Sequence, residues 1–484
     1  MNPVRMEKGV LWGLLGLLVW LPVPLGSRRD WSVAVMAVWV FALLATWLVL
    51  WALDKVRIAE PLRRAWPVFL LLGLFLLHQA VTIVPMPWEW VAWLSPESAR
   101  MHGLREMLGA RPSAITISVD TYATTMSLVK SLAYGGVFFL FLAVVNNRSR
   151  VQTAARVIVY AAVVHAVYAV LMHLSGATQE HFFMRLAHGD SAQGFYTNRN
   201  LFAGMLEMTL AIGIGLLIAG LSDRVAGSWK QFFVHLIEWI LSPKMLLRLS
   251  LCILVIALTT THSRMGNTAF FASLLIAGVI GIALSRHATR NVVVLLVSLV
   301  VLDLAIVGSW FGVEKLAARL EATTVEDVRE REQPAVYTVA LIRDYPVFGA
   351  GAGSFEVVFP RYRPESIAET FDHAHNDYAQ VAAETGLVGL GLLGLVVVLS
   401  LGAAVRAQWL RRDPLMRGMS FASIMGVTSI LIHSWVDFNL QVPANAALFM
   451  VLLALGWISL HLGRESGTGI GDGSPEPSPK PVPD

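Results

Sequence analysis

An all-α integral membrane protein, with about 12 transmembrane helices and one large helical loop on the outer side, is the fold class this sequence predicts. Three observations predict it. The chain is 56% hydrophobic and 14% charged, with a mean hydropathy of +0.63, against about 25% charged residues in soluble domains. Apolar runs of roughly 20 residues recur along it, the length that crosses a ~30 Å hydrocarbon core. Arginine and lysine gather in alternate short loops, as they do on the inner side of a membrane. The net charge of +4, with no basic run interleaved with aromatics, argues against nucleic acid as a partner. The lone cysteine, Cys252, excludes an intramolecular disulfide.

The expected spans lie near residues 9–25, 32–53, 66–84, 126–146, 151–174, 198–220, 245–261, 266–284, 291–311, 386–405, 418–436 and 444–462. The first follows Arg5 and Lys8 and resembles a signal sequence, but further spans follow at once, so it reads as an uncleaved span. Inner loops hold Lys55, Arg57, Arg63 and Arg64, then Arg148, Arg150 and Arg156, then Arg224, Lys230, Lys244 and Arg248, then Arg286 and Arg290, then Arg406, Arg411, Arg412 and Arg417. Arg28 and Arg29 are exceptions on the outer side. Both termini are therefore expected inside. Spans 1–9 occupy residues 1–311, the outer loop 312–385, spans 10–12 residues 386–462, and a Gly/Ser/Pro-rich tail 463–484.

Other segments carry their own signals. Trp88, Trp90 and Trp93 form an interfacial belt in the outer connection 85–125. "GSWKQFFVHLIEWILSPK" reads as an inner-surface amphipathic helix. In the outer loop, Thr324 precedes Asp327 at capping-box spacing, Pro334 suits the start of a second helix, and "FGAGAGSF" reads as a structural turn rather than a phosphate loop.

Polar residues at the outer span ends fall in three places: "GFYTNRNLFAGMLEM", "THSRMGN", and the large loop with Arg331, Arg343, Arg361, Arg363 and "FDHAHNDYAQ". Arg199 and Arg264 fit two readings. Arginine at a helix end can snorkel to the interface, or its planar fork can take phosphate oxygens. His373 and His375 fit three: structural histidines, metal ligands, or a general base, since imidazole titrates near neutrality. No third strong ligand stands at helical spacing, and H-E-x-x-H is absent. Asp372 or Asp377 is placed to orient a ring. Glu384 reads as structural, lying too far along a continuous helix to pair with His375.

Together these residues resemble the O-antigen ligase and polymerase superfamily. The resemblance rests on an ordered set: "TNRNLFAGMLEM" opening a span, "SRMG" after a later one, then "IRDYPVFGAGAGSFE" and "HAHNDYAQVAAETGLVG" before a final group of spans, over roughly residues 194–405. It implies a bacterial inner-membrane glycosyltransferase of the lipid-carrier-dependent type, needing neither nucleotide nor metal and hence no cofactor. The implied donor is a glycan on undecaprenyl pyrophosphate. The implied acceptor is lipid A–core for a ligase, the growing glycan for a polymerase and a protein hydroxyl for an oligosaccharyltransferase. By resemblance His375 is the base, Arg264 and Arg199 bind pyrophosphate, and Arg331 is a further candidate. The turn here reads "SRMG" where the family usually has an "SRGG"-like run. A glycolipid transporter is the competing class, and it would place its polar residues near the bilayer midplane, where Asp303 stands almost alone.

Overall fold

The computed structural model describes residues 3–104, 109, 113–176, 178–181, 184–187, 191–220, 244–284, 325–364 and 371–463. The expected span at 291–311, nearly all of the amphipathic segment 227–244, the Thr324 cap and the tail lie outside these residues. In chain order the helices begin with α1 (Pro3–Trp20), α2 (Asp30–Ala52), α3 (Glu60–Arg64), α4 (Trp66–Thr82), α5 (Trp88–Leu94) and α6 (Pro96–Gly103). Then come α7 (Thr121–Val144), α8 (Arg148–Ser175), α9 (Arg199–Ala219), α10 (Lys244–Thr260) and α11 (Arg264–Leu284). The last are α12 (Val325–Asp344), α13 (Phe355–Val358), α14 (Asp377–Leu410), α15 (Pro414–His433) and α16 (Pro443–His461). Two short antiparallel hairpins pair Met86–Pro87 with Ala114–Ile115, and Thr178–His181 with Met184–Ala187.

Among the described residues eight helices (α2, α7, α8, α9, α11, α14, α15 and α16) are long and apolar enough to cross a membrane. The chain is a multi-pass, predominantly helical membrane protein. α4 and α10 answer two more of the expected spans but are shorter. α1 carries Arg5, Glu7 and Lys8 in its first turns and stops before Pro22 and Pro24. Several spans start on a side chain that accepts a backbone N–H, which replaces a missing intrahelical partner: Asp120 for α7, Asn147 for α8, Asn198 for α9, Asn376 for α14 and Asp413 for α15.

The helices sort by burial. α9, α15 and α16 are covered along most of their length, whereas α2, α8, α11 and α14 leave most of theirs open. Without a hydrophobic drive between helices in lipid, close approach of small residues holds a bundle together. α9 and α15 show this: a Cβ on Gly215 would lie 2.3 Å from the Gly418 carbonyl oxygen, and one on Gly418 would lie 2.1 Å from that of Gly215.

A layer of short helices and turns packs on one end of the bundle. Val91, Ala99, Ile115 and Ile117 form one small core there, and Leu341, Tyr345, Phe355, Phe359, Ala374 and Ala383 another. Trp88 packs over Gly103, while Trp90 and Trp93 project outward. Two expectations change. α12 runs through Pro334 rather than restarting at it, because a proline removes only its own N–H and a helix tolerates that loss as a bend. α14 begins at Asp377, well before the expected span start, because an outer segment and the span join at Gly386, where φ is +66°. Against this kink the glycine-rich turn docks backbone to backbone. Ala350 N–H donates to Ala383 O at 2.9 Å, Gly351 N–H to Glu384 O at 3.0 Å, and Leu387 N–H to Pro346 O at 2.8 Å. The Thr385 carbonyl, released by the kink, accepts from His78 Nε2 at 2.8 Å.

Candidate active site

Four segments meet at one end of the bundle: the turn 25–28, the start of α9, the stretch 371–380, and residues 433–442 between α15 and α16. Their meeting is built from small contacts. Leu25, Gly26 and Ser27 all take positive φ, and a Cβ on Gly26 would press on Val442 and Tyr196 at 2.8 and 3.0 Å. Tyr196 donates to Asn445 Oδ1 at 3.0 Å. Asp377 ties the start of α14 to the α15–α16 turn, accepting from Ser434 Oγ at 2.7 Å, Leu440 N–H at 3.0 Å and Gln441 Nε2 at 3.3 Å.

His375 sits on this frame in the left-handed region, φ +49°, unusual for a non-glycine residue and worth a functional reading. Its Nδ1 lies 3.7 Å from Asp437 Oδ1, with the carboxylate 1% exposed and the histidine side chain 29% exposed. The imidazole is thus backed by a buried acid and open on its other side, with the Phe438 ring edge-on at 4.9 Å. Asp437 also accepts from Asn200 Nδ2 at 2.7 Å and Phe438 N–H at 2.9 Å. Burial alone would push the Asp437 carboxyl up. The contact with His375 and the charges of His433 and His375 outweigh it and hold the group below its ordinary value. An ionised Asp437 facing Nδ1 favours the tautomer with Nδ1 protonated and Nε2 free to accept.

The two histidines differ. His373 stacks on Phe438 at 4.2 Å and touches Gln380 through Nδ1. Burial pushes its pKa down to about 4, against the opposing pull of Asp372. Gln380 donates on to Glu384 Oε1 at 3.1 Å, and Glu384 Oε2 accepts the Gly353 N–H at 2.8 Å. Glu384 therefore fastens the glycine-rich turn and reaches His373 only through Gln380. Neither aspartate beside the histidines orients His375. Asp377 is spent on the α15–α16 turn, and Asp372 pairs with Arg28 at 2.8 Å. The orienting acid is Asp437, from a different segment.

Arg28 Nη1 also donates to Thr197 Oγ1 at 3.0 Å, and its guanidinium lies 5.3 Å from the Phe438 ring centroid. Arg28, an exception to the expected loop-charge pattern, thus belongs to the site. Behind it, Glu207 and His433, both 0% exposed, meet at 2.8 Å, and Ser429 Oγ donates to Glu207 at 2.6 Å. The "SRMG" turn joins here. Ser263 Oγ accepts the Gly266 N–H at 3.2 Å, and a Cβ on Gly266 would lie 2.7 Å from the Ala203 Cβ and 3.0 Å from Glu207 Oε1. Met265 is helical within α11, so a glycine is not required there. The requirement falls on Gly266.

The helices that carry the three predicted regions are in contact: α9 reaches His375 through Asn200 and Asp437, and α11 reaches α9 and α15 through Gly266 and Glu207. Arg199 is the first residue of α9 and half-buried, and Arg264 the first of α11 and exposed. Arg331 lies on α12, and its side chain falls outside the described residues. Among the described residues no group of three or more His, Cys, Asp or Glu is arranged to hold a metal ion. Sequence reasoning missed Asp437, Glu207, His433 and the role of Arg28. The available signal was "HSWVDFNLQ", a polar run in a short outer connection between two apolar spans.

The fold and site define a polytopic helical membrane protein with a histidine–carboxylate pair, His375 and Asp437, near one end of its bundle. Residues 249–394 match the family model described as O-Antigen ligase. The match covers less than half of the chain, and over that stretch the protein is similar to the O-antigen ligase family. The match takes in Arg264, Arg331 and His375 and leaves Arg28, Arg199 and Asp437 outside. No curated protein matches the chain.

Proposed function

We propose that the protein transfers a glycan from an undecaprenyl-pyrophosphate carrier to an acceptor hydroxyl at the periplasmic face of the bacterial inner membrane, in the manner of an O-antigen ligase. The observation that carries this reading is the pairing of half-open His375 with buried Asp437 at the point where α9, α14 and the α15–α16 turn meet. Asp437 holds Nδ1, so Nε2 takes the proton of the acceptor hydroxyl. The oxygen attacks the anomeric carbon from the face opposite the pyrophosphate, the glycosidic C–O bond breaks, and the configuration inverts. The proton leaves the imidazolium for the departing pyrophosphate or water. Arg199 and Arg264, each at a helix N-terminus where backbone N–H groups also favour an anion, hold the pyrophosphate, and Arg331 is a further candidate for binding it. Positioned donors of this kind stabilise charge as it develops.

Purified protein with a lipid-linked donor and an acceptor tests this. His375→Ala is expected to lower turnover by roughly 10²–10⁴-fold, the usual contribution of a positioned base. Asp437→Asn, which leaves the ring in place without its charge, should lower it by a smaller factor. Transfer by His375→Ala at the wild-type rate would remove the base role. Polymerase and protein O-oligosaccharyltransferase activities are the alternatives within the superfamily. A deletion strain displaying single capped repeats indicates a polymerase, and one with unattached long polymer indicates a ligase. The clustering of these charged and polar residues at the outer rim favours chemistry over a flippase.

A further inference from the structure

Just below the candidate site, the outer parts of α4, α7, α14 and α16 enclose a cavity of about 210 Å³. Its walls are aliphatic and aromatic, with Leu72, Phe75, Leu393, Val397, Phe449 and Met450 among them. Its roof is Ala352 of the glycine-rich turn and the pair Leu440 and Gln441. Leu74, Leu77, Leu132 and Leu395 flank it on the same helices and are exposed, so the cavity faces sideways, toward the lipid.

Among the polar groups that line this cavity are Gln79 Oε1 and the Lys130 ammonium. Gln79 is 2% exposed; its Nε2 donates to Ser131 Oγ at 3.2 Å, but its Oε1 has no partner among the described residues. Lys130 makes no hydrogen bond or close ion pair among the described residues, and Glu384 and Asp30 are the charges that act on it from a distance. Glu384 also lines the cavity, with its carboxylate hydrogen-bonded to Gly353 and Gln380, and Lys130 is the cation among the lining residues. Buried polar atoms are ordinarily hydrogen-bonded, and intramembrane cations are retained for a function. A cation and an orphan acceptor in one apolar chamber call for a ligand with an anion, a donor and an apolar chain.

We propose that this cavity binds a lipid phosphate: the phosphate on the Lys130 ammonium, a P–OH or headgroup hydroxyl donating to Gln79 Oε1, and the chain along the aliphatic wall. The site is separate from the arginines assigned to the pyrophosphate, and the proposal does not depend on the transfer reaction. Two sources share the chemistry, a phospholipid of the surrounding bilayer and a polyprenyl phosphate.

Native mass spectrometry of the full-length protein in detergent tests it, with phosphatidylglycerol, a polyprenyl phosphate, and the uncharged diacylglycerol and polyprenol as probes. At least one phosphate-bearing probe should bind about tenfold or more tightly than its uncharged counterpart, the scale of one hydrogen bond to a charged group. Lys130→Met should remove that preference and Lys130→Arg keep it. Gln79→Leu should weaken binding several-fold, and Val397→Trp, which fills the chamber from its lipid side, should displace either phosphate probe. Preference for one phosphate probe over the other identifies the source. Equal binding of charged and uncharged probes overturns the proposal, as does wild-type retention by Lys130→Met. Should Lys130→Met not fold, wild-type retention by both Gln79→Leu and Val397→Trp overturns it. His375→Ala should bind these probes as wild type does, so a failure of the base assignment and a failure of this site are told apart.

Discussion

His373 and His375 show how two identical side chains in one short run acquire different chemistry. His375 is half-open and backed by an ionised carboxylate. His373 is enclosed by Phe438 and Gln380, and a group with a pKa of about 4 is a poor proton acceptor near neutrality. The depressed value has a consequence for stability. Between about pH 6.5, where an unfolded histidine titrates, and about pH 4, the folded protein binds fewer protons than the unfolded chain. Stability is therefore undiminished by His373 above this window and falls as pH drops through it, by up to about 3 kcal/mol. His373→Gln should flatten the dependence of melting temperature on pH between 4 and 7 relative to wild type; an unchanged slope would show that His373 is not held neutral. Asp437, held below its ordinary value, loses its contribution only in more acid solution. The histidine pair was legible in the sequence because its motif is local. The acid that orients His375 was not, because neighbours in a turn point in different directions and Asp437 is brought up by a separate connection.

At the scale of elements, the decisive feature is the junction of the glycine-rich turn with the kink in α14. A Cβ on Gly386 would lie 2.0 Å from the Val347 carbonyl oxygen, and one on Gly349 2.2 Å from the Glu384 carbonyl carbon, both at positive φ. These are backbone atoms and cannot swing aside. Gly386→Ala should cost about 3 kcal/mol or more, combining left-handed strain with a steric clash, and should appear as a large drop in melting temperature or a loss of monodisperse protein. Gly402, with nothing within 4 Å of its Cβ position, supplies the control, and Gly402→Ala should be tolerated. The sequence marked "FGAGAGSF" as a turn from its glycines alone. It did not reveal what the turn packs on, since that partner is the bend of a helix whose apolar run reads as continuous. Pro334 erred the other way: a residue that often starts helices here sits inside one.

Across the whole molecule, hydropathy and loop charge locate most of the helices because lipid imposes a length and a composition on each span. They carry no information on which spans lie inside the bundle. Burial of α9, α15 and α16 depends on small residues and buried polar pairs whose partners are far away in sequence. The expected orientation, with both termini inside, has a direct check in a Cys252→Ser background. Asp372→Cys should react with a membrane-impermeant maleimide on intact spheroplasts, and Arg412→Cys only after permeabilisation; the reverse pattern would invert the topology. Arg28 shows why a charge rule has exceptions: a basic residue recruited to a site is placed by Asp372, Thr197 and Phe438, not by the bias of the loops.

The Glu207–His433 pair carries an implication for how the chain is made. Glu207 belongs to α9, and its partners Ser429 and His433 stand 222 and 226 residues further on. At a synthesis rate of about 5–20 residues per second, that separation corresponds to roughly 10–45 s of translation. Throughout this interval α9 holds a carboxyl group that neither partner has arrived to meet, and an ionisable side chain at mid-helix costs about 2.5–3.5 kcal/mol on insertion scales. A helix almost wholly buried in the finished bundle is thus one whose polar partners are absent when it is made. Assembly has to keep it waiting until α15 emerges, and a ribosome stalled before residue 429 leaves behind a membrane-bound fragment with its polar seam unsealed.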